Sequence, residues 1–272
     1  MKVASLFSVE GLSAVVTGGA SGIGFAIAQA LAMNGARVTI LDRDGDSASR
    51  AAEALSVDGA ATHAAPADAT DADALRRAFA EVAAREGRID VVYANAGISG
   101  GPGFLTFDRE RNAAAAIENI APDFFDRVVD VNLGSMFRTI QAAVPHLKAA
   151  GGGRIIATSS ISATRVETLV GTPYVASKVG VAQLVRQLAL ELARFGITVN
   201  AIAPGPVATN IAGGRLQDAQ TQARFAEHCP MHRIGVPDDV IGAALFFASP
   251  AARFVTGAEI LIDGGVTLGL AD

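Results

Sequence analysis

Tyr174 and Lys178 stand four residues apart within an apolar run of helical spacing, so their side chains share one helix face. A phenol of pKa near 10 is a poor base at neutral pH. A neighbouring ammonium group favours the phenolate, and a fall of about three units, some 4 kcal/mol, makes a workable acid/base near pH 7. Taken alone, such a pair more often stacks on a helix surface, so its surroundings decide. Ser160 follows the run Gly153 to Thr158, which reads as a strand. It stands at the carboxyl end, where open parallel sheets place their ligands, and its hydroxyl can polarise the same substrate oxygen. Capping a turn is its plainer use. Asn132 interrupts an otherwise apolar helix. A buried asparagine needs partners, and its amide can hold a water beside Lys178.

A second stretch, Val15 to Gly24, suits a bound dinucleotide. Leu12, Ala14, Val15 and Val16 form a short apolar run, as in a strand buried on both faces. Phe25, Ile27, Ala28, Leu31 and Ala32 then recur at helical spacing up to Asn34-Gly35. Between them lie Gly18, Ser21, Gly22, Ile23 and Gly24. Glycines there let the backbone approach a diphosphate, whose charge the helix N-terminus stabilises. The spacing Gly18-x-x-x-Gly22-x-Gly24 differs by one residue from the general dinucleotide pattern, and a tight strand-to-helix turn is its plain alternative.

The strand Arg37 to Leu41 ends in Asp42, 18 residues beyond Gly24, close to the distance at which an acid meets the adenosine ribose. A carboxylate there accepts hydrogen bonds from a diol and repels a 2′-phosphate. Arg43 could bind that phosphate, but Asp42 holds the contact position and Ser21 puts no cation in the turn. The balance favours NAD over NADP.

Farther along, residues 44–56 read as a helix, Ala60 to Ala65 as a weak strand, and Asp71 to Glu86 as a helix. Asp68-Ala69 sits between the last two; Asp68 could reach the adenine edge or cap the helix. Ile89 to Ala94 reads as a strand ending in Asn95-Ala96-Gly97. A helix from Asp123 to His146, the strand Gly153 to Thr158 and a long helix from Tyr174 to Phe195 follow. Ile197 to Ile202 is a strand ended by Pro204-Gly205-Pro206, and Ala258 to Ile262 is the last. Residues 207–231 are polar and read as a mobile cover. Strand and helix alternate with short connections, which implies a doubly wound parallel α/β sheet with helices on both faces. The helix from Tyr174 is apolar nearly all round, so a second subunit is the simplest cover for it, in a homo-oligomer (dimer or tetramer).

Composition excludes several classes. A net charge of −5 with no basic block disfavours nucleic acid. No apolar run approaches the roughly 18 residues of a membrane span. Cys229 is the single cysteine, so no internal disulfide forms. With one lysine and no long apolar stretch in Met1 to Gly11, a cytoplasmic setting is the expectation. No G-x-S-x-G elbow and no Gly-Lys-Ser/Thr phosphate loop occurs. His228, Cys229 and His232 lie close, but Pro230 breaks the helix that would align them, so no metal is expected. Arg165, Glu167, Arg215, Arg224 and His228 lie in segments able to line a pocket and read as solvated loop charges.

Thr17 to Gly24, Asn95 to Gly97, Asn132, Ser160, Tyr174-Val-Ala-Ser-Lys178 and Pro204-Gly205 occur in the order seen in the short-chain dehydrogenase/reductase family, which the chain resembles from Leu12 to Gly265. The resemblance implies a single Rossmann-type domain over residues 1–272, of about seven strands. It implies oxidation of a secondary alcohol by NAD, with Tyr174 as acid/base. Lys178 lowers the phenol's pKa and binds the nicotinamide ribose, Ser160 binds the substrate oxygen, and Asn132 serves a proton-relay water. Asn95 steadies the central strands, Thr209 meets the carboxamide and Val207 offers a backbone contact. Two departures stand out. Ser160 to Tyr174 is one residue longer than in relatives, leaving Ser159 and Ser162 as alternatives. Asn95 to Asn132 is about a dozen residues too long, placing an insertion near 106–120. An NAD-binding regulatory protein and an epimerase on the same fold are the rival readings; the intact residue set argues against the first and the short chain against the second.

Overall fold

Seven short apolar runs pair into one parallel sheet, in the order β3-β2-β1-β4-β5-β6-β7. The computed structural model describes residues 2–56, 61–211 and 213–269. A short helix α1 (Val3–Leu6) precedes β1 (Ser13–Thr17), α2 (Gly22–Met33), β2 (Arg37–Asp42), α3 (Gly45–Ser56) and β3 (Thr62–Pro66). The second half-sheet follows from α4 (Ala72–Glu86) and β4 (Val91–Ala94). Next come α5 (Pro122–Val129), α6 (Ser135–Ala149), β5 (Gly153–Thr158), α7 (Thr172–Leu192) and β6 (Ile197–Pro204). The chain closes with α8 (Ala219–Ala226), α9 (Ile241–Ala248) and β7 (Glu259–Ile262).

Every residue of β1 is buried, because helices cover both faces of the sheet. One core layer joins Val15, Val92 and Ile155 of the sheet to Leu75 and Phe79 of α4, Ile140 of α6 and Val181 and Val185 of α7. The opposite layer joins Val16, Ile40 and Tyr93 to Ile27 and Leu31 of α2, Leu55 of α3 and Phe247 of α9. The strand order reverses between β1 and β4, and such a switch point opens a crevice at the carboxyl ends of the strands. Among the described residues, no helix is long and apolar enough to cross a membrane.

The differences from the sequence reading are local and have causes. β3 begins at Thr62 and ends at Pro66; Ala60, the expected first residue, lies outside the described residues. β4 starts at Val91, while Asp90 just before it turns its carboxylate to the Ser13 N–H at 2.9 Å. β6 runs on to Pro204, which pairs in register with Ile262. The helix expected over Asp123 to His146 spans Pro122–Ala149 and is widened by a π turn at Asp130–Gly134. α9 had no counterpart in the sequence reading. Its apolar residues surround it so evenly that no single face stands out. Tyr93 Oη reaches across the core to donate to the Ala244 carbonyl oxygen at 2.9 Å.

Candidate active site

The turn after β1 is built on glycines for steric reasons. Gly18 and Gly22 have φ of 63° and 54°, and a Cβ on Gly24 would lie 2.1 Å from the Gly18 oxygen. Ser21, the N-cap of α2, makes no side-chain capping bond, so no side chain of its own covers the helix N-terminus. That exposed N-terminus and the bare backbone before it form a cradle with the chemistry to receive a diphosphate. Asp42, at the end of β2, holds the turn in place: its carboxylate accepts from Ala20 N–H at 3.3 Å and from Asp44 N–H at 3.2 Å.

Asn95 joins the ends of three strands. Its Nδ2 donates to the carbonyl oxygens of Thr17 and Gly18, both at 3.2 Å, and its Oδ1 accepts from Thr158 Oγ1 at 2.9 Å. Asp68 accepts from the backbone N–H and the hydroxyl of Thr70, both at 2.8 Å. The capping role weighed for Asp68 belongs to Asp71, which accepts from Asp73 and Ala74 N–H. A carboxylate one position ahead of the helix reaches those donors, and Asp68 is too far back to do so.

A cleft of about 1220 Å³ opens along the carboxyl ends of β1, β2, β4, β5 and β6. Every position named from the sequence for a cofactor lines it, from Gly18 and Asp42 through Ala69 and Ala96 to Thr209, as do Ser160, Tyr174 and Lys178. Asn132 does not line it. Its side chain is buried in the π turn, where Oδ1 accepts from Ile98 N–H at 2.7 Å and Nδ2 donates to Ile98 O and Ser177 Oγ, both at 3.1 Å. The protein itself uses the amide, and the group fastens the chain after β4 to α7.

Tyr174 sits in the first turn of α7, with Gly100 packed so closely against it that a Cβ there would lie 2.5 Å from the Tyr174 Cβ. Of the three candidate serines, Ser160 is the one whose hydroxyl acts on the phenol, favouring its anion. Ser162 is Ser160's own partner, Oγ to Oγ 3.2 Å. Ser159 Oγ is buried without a hydrogen-bond partner among the described residues. Lys178 Nζ donates to the Thr158 carbonyl oxygen at 2.7 Å and lies 5.5 Å from the centre of the Tyr174 ring.

Burial pushes the Tyr174 phenol above its usual pKa, the Glu167 carboxylate adds to the rise, and Ser160 opposes it. Burial also lowers Lys178 to about 8. In the protein alone, desolvation outweighs any help from the amine, so the phenol is held neutral.

Two segments frame the mouth. The residues around the expected insertion bridge Pro102 to Val170 and fold back at Leu105–Arg111, with Arg109 at φ 60°. Phe107 then meets Phe225 of α8 edge to face, centroids 4.8 Å apart. Arg224 lies 4.7 Å over the Phe107 ring and pairs with Asp108 at 2.5 Å. Glu167, Arg215 and Arg224 line the cleft, and Glu167 is not the solvated charge its loop position suggested. Phe107, Asp108, Asn112, Arg127 and Asp130 line it too and were not singled out by sequence; their spacing carries no motif. Among the described residues, no group of three or more His, Cys, Asp or Glu side chains is placed to hold a metal.

Comparison with known proteins agrees with this architecture. A family model described as enoyl-(acyl carrier protein) reductase matches residues 18–267. The chain is 37% identical to an L-rhamnose 1-dehydrogenase (NAD(P)(+)) of Azotobacter vinelandii, covering 94% of this chain and 96% of that one. It is also 37% identical to a galactitol 2-dehydrogenase (L-tagatose-forming) of Cereibacter sphaeroides, covering 98% and 100%. The structure is similar to that of a gluconate 5-dehydrogenase from Burkholderia cenocepacia in complex with NADP and tartrate, with a TM-score of 0.87, 32% identity, and 98% and 99% of the two chains covered. With its seven-stranded parallel sheet and this run of dehydrogenase and reductase relatives along nearly its whole length, the chain belongs to the short-chain dehydrogenase/reductase family of oxidoreductases.

Proposed function

We propose that this protein is an NAD-dependent dehydrogenase that interconverts a secondary alcohol and a ketone, with Tyr174 as the acid/base. The observation that carries the reading is the meeting, in one cleft, of the glycine turn, Asp42 and the Ser160–Tyr174–Lys178 group. The dinucleotide supplies the hydride acceptor for oxidation and the hydride donor for reduction. Gly18 to Gly24 and the α2 N-terminus would hold its diphosphate, Asp42 and Asp68-Ala69 its adenosine half, and Lys178, Thr209 and the Val207 backbone its nicotinamide half. Ser160 Oγ donates to the substrate oxygen. In reduction the neutral Tyr174 phenol gives its Oη proton to the carbonyl oxygen as the carbon receives a hydride. In oxidation the phenolate takes the hydroxyl proton back while the carbinol carbon gives up its hydride and becomes the carbonyl. Lys178 holds its position on the Thr158 carbonyl, and Asn132 acts as a positioning residue through Ile98 and Ser177.

Asp42 supports NAD by its charge. NADP is the second reading, favoured by Arg43 in the cleft wall and by the relatives whose names carry NAD(P) or NADP. The relatives named for L-rhamnose and galactitol support a sugar or polyol substrate. Residues 207–231 and the insertion act as a cover over it, the α5–α7 surface pairs with a second copy, and the reducing cytoplasm is the setting. A screen of diverse alcohols with NAD and of ketones with NADH, followed at the nicotinamide absorbance, tests the reading. Turnover that Tyr174→Phe abolishes supports it; dinucleotide binding with no turnover of any member returns the protein to a regulatory role.

A further inference from the structure

Thr158 serves the cleft twice, once with its backbone and once with its side chain. The carbonyl oxygen accepts from Lys178 Nζ at 2.7 Å, and the hydroxyl donates to Asn95 Oδ1 at 2.9 Å. Asn95 Nδ2 in turn donates to the carbonyl oxygens of Thr17 and Gly18, each at 3.2 Å. One residue thus stands between the amine that α7 presents and the glycine turn that follows β1. Both Thr158 and Asn95 line the cleft.

The place of Thr158 in the sheet gives its hydroxyl a task. The β4–β5 register ends with Ala94 opposite Ala157, one residue short of Thr158. Toward β6 the strand is still held: Thr158 is in register with Ile202, and Ser159 N–H donates to the Ile202 carbonyl oxygen at 2.8 Å. Toward β4 its tie, among the described residues, is the bond from its own hydroxyl to Asn95. A strand end held on one side alone opens locally at little cost. The amide at the far end of that bond has little room. A Cβ on Gly24 would lie 2.6 Å from Asn95 Nδ2 and one on Gly18 3.3 Å from it, so the amide is packed into the turn itself. Without the hydroxyl, Oδ1 loses a donor, and the amide can regain one only by turning against that packing.

On the basis of the dehydrogenase reading, we infer that Thr158 is a positioning residue whose hydroxyl, acting through Asn95, fixes Lys178 and the diphosphate turn relative to one another. The same short chain of bonds sets the carbonyl that receives the amine and the backbone that receives the dinucleotide. The operative group is the hydroxyl, since the Lys178 acceptor belongs to the backbone and survives any side-chain change.

The test compares Thr158→Val and Thr158→Ser with wild type. Valine keeps the β-branched shape suited to a strand and removes the hydroxyl, and serine keeps the hydroxyl without the methyl. Turnover is measured with NAD and the most rapidly oxidised alcohol of the screen, NADH affinity by fluorescence and folding by Tm. In Thr158→Val, kcat at saturating substrates should fall by about tenfold, as a displaced group in the site requires. NADH affinity should fall by about threefold or more, the scale of one hydrogen bond, with KM for the alcohol changed by less than about twofold. Thr158→Ser should bring both kcat and affinity back to within about threefold of wild type. A valine variant that lowers Tm and leaves kcat and affinity alone, or that loses only one of the two, overturns the link. A serine variant as impaired as valine overturns the assignment to the hydroxyl. Should Thr158→Val fail to fold, Thr158→Cys, of similar size and a weak donor, is read by the same criteria; failure of both while serine folds makes the hydroxyl a stability group and overturns the inference. Each of these results leaves the dehydrogenase reading standing. A wild type that binds NADH and turns over no member of the screen removes both.

Discussion

Lys178 Nζ donates to the Thr158 carbonyl oxygen at 2.7 Å, so the last residue of β5 anchors the amine that α7 presents to the cleft. The bond gives the ammonium group one acceptor in a place where burial otherwise works against it. Burial lowers Lys178 to about 8 from an ordinary 10.5.

Between those values the unfolded chain binds more protons at this residue than the folded chain does, so stability rises with pH across that window. The cost of the buried charge is present in full below about 8 and is relieved as the pH climbs toward 10.5. Tyr174, raised by burial, acts in the opposite sense once the pH passes its ordinary 10. Thermal unfolding of the cofactor-free protein between about pH 8 and pH 10 should therefore show wild type gaining on Lys178→Met as the pH rises. A difference in Tm that stays level with pH contradicts the buried-amine account.

Removing the phenolic oxygen takes away the proposed acid/base and leaves the ring that packs beside Gly100. Tyr174→Phe should lower kcat by about a hundredfold to ten-thousandfold, the range that general acid–base groups supply. NADH affinity, measured by fluorescence titration, should stay within about twofold. A loss shared equally by affinity and turnover would point to a structural role.

Asp42 faces the cleft and also holds Ala20 and Asp44 N–H. Asp42→Asn keeps acceptor geometry for one of those bonds and deletes the charge that opposes a 2′-phosphate. The ratio of kcat/KM with NADP to that with NAD should rise by about tenfold, equivalent to ~1.4 kcal/mol. An unmoved ratio assigns cofactor choice to Arg43 or another group.

Phe107 and Asp108 both link the segment between β4 and α5 to α8, by unequal means. The Asp108–Arg224 pair is exposed, and such pairs contribute about 0–1 kcal/mol. The edge-to-face contact of Phe107 with Phe225, both half-buried, adds partial burial of the rings and about 0.5–1.5 kcal/mol more from ring geometry. Phe107→Ala should raise the substrate KM several times more than Asp108→Ala, with little change in NADH affinity. Equal effects, read from steady-state kinetics, would remove the clasp from the substrate cover.

On α7, Leu190 is 81% and Val179 48% exposed, and Phe124 and Phe125 of α5 are exposed nearby in the same helical layer. Sedimentation at micromolar concentration should show an oligomer, and a Val179→Glu, Leu190→Glu double variant should sediment as a smaller species. A monomeric wild type refutes the pairing through α7.

Much of the fold was legible because its causes are local in sequence. Apolar runs of strand length, helical spacing after each of them and glycines where a Cβ would collide with backbone are properties of neighbouring residues, and they place β1, the glycine turn, Asp42 and the Tyr174–Lys178 face. The even hydrophobicity of α9 hid it, since a helix buried on most sides has no periodic stripe to find. What packing alone decided is the state of the polar groups. Asn132 is occupied by Ile98 and Ser177, Lys178 by Thr158, and the phenol of Tyr174 is raised rather than lowered, because desolvation and long-range hydrogen bonds depend on neighbours brought from 20 or more residues away. For the same reason the chain's order could list Glu167 as one loop charge among five, whereas only the tertiary structure could set it in the cleft wall with its side chain 11% exposed, 3.2 Å from Arg165 Nε.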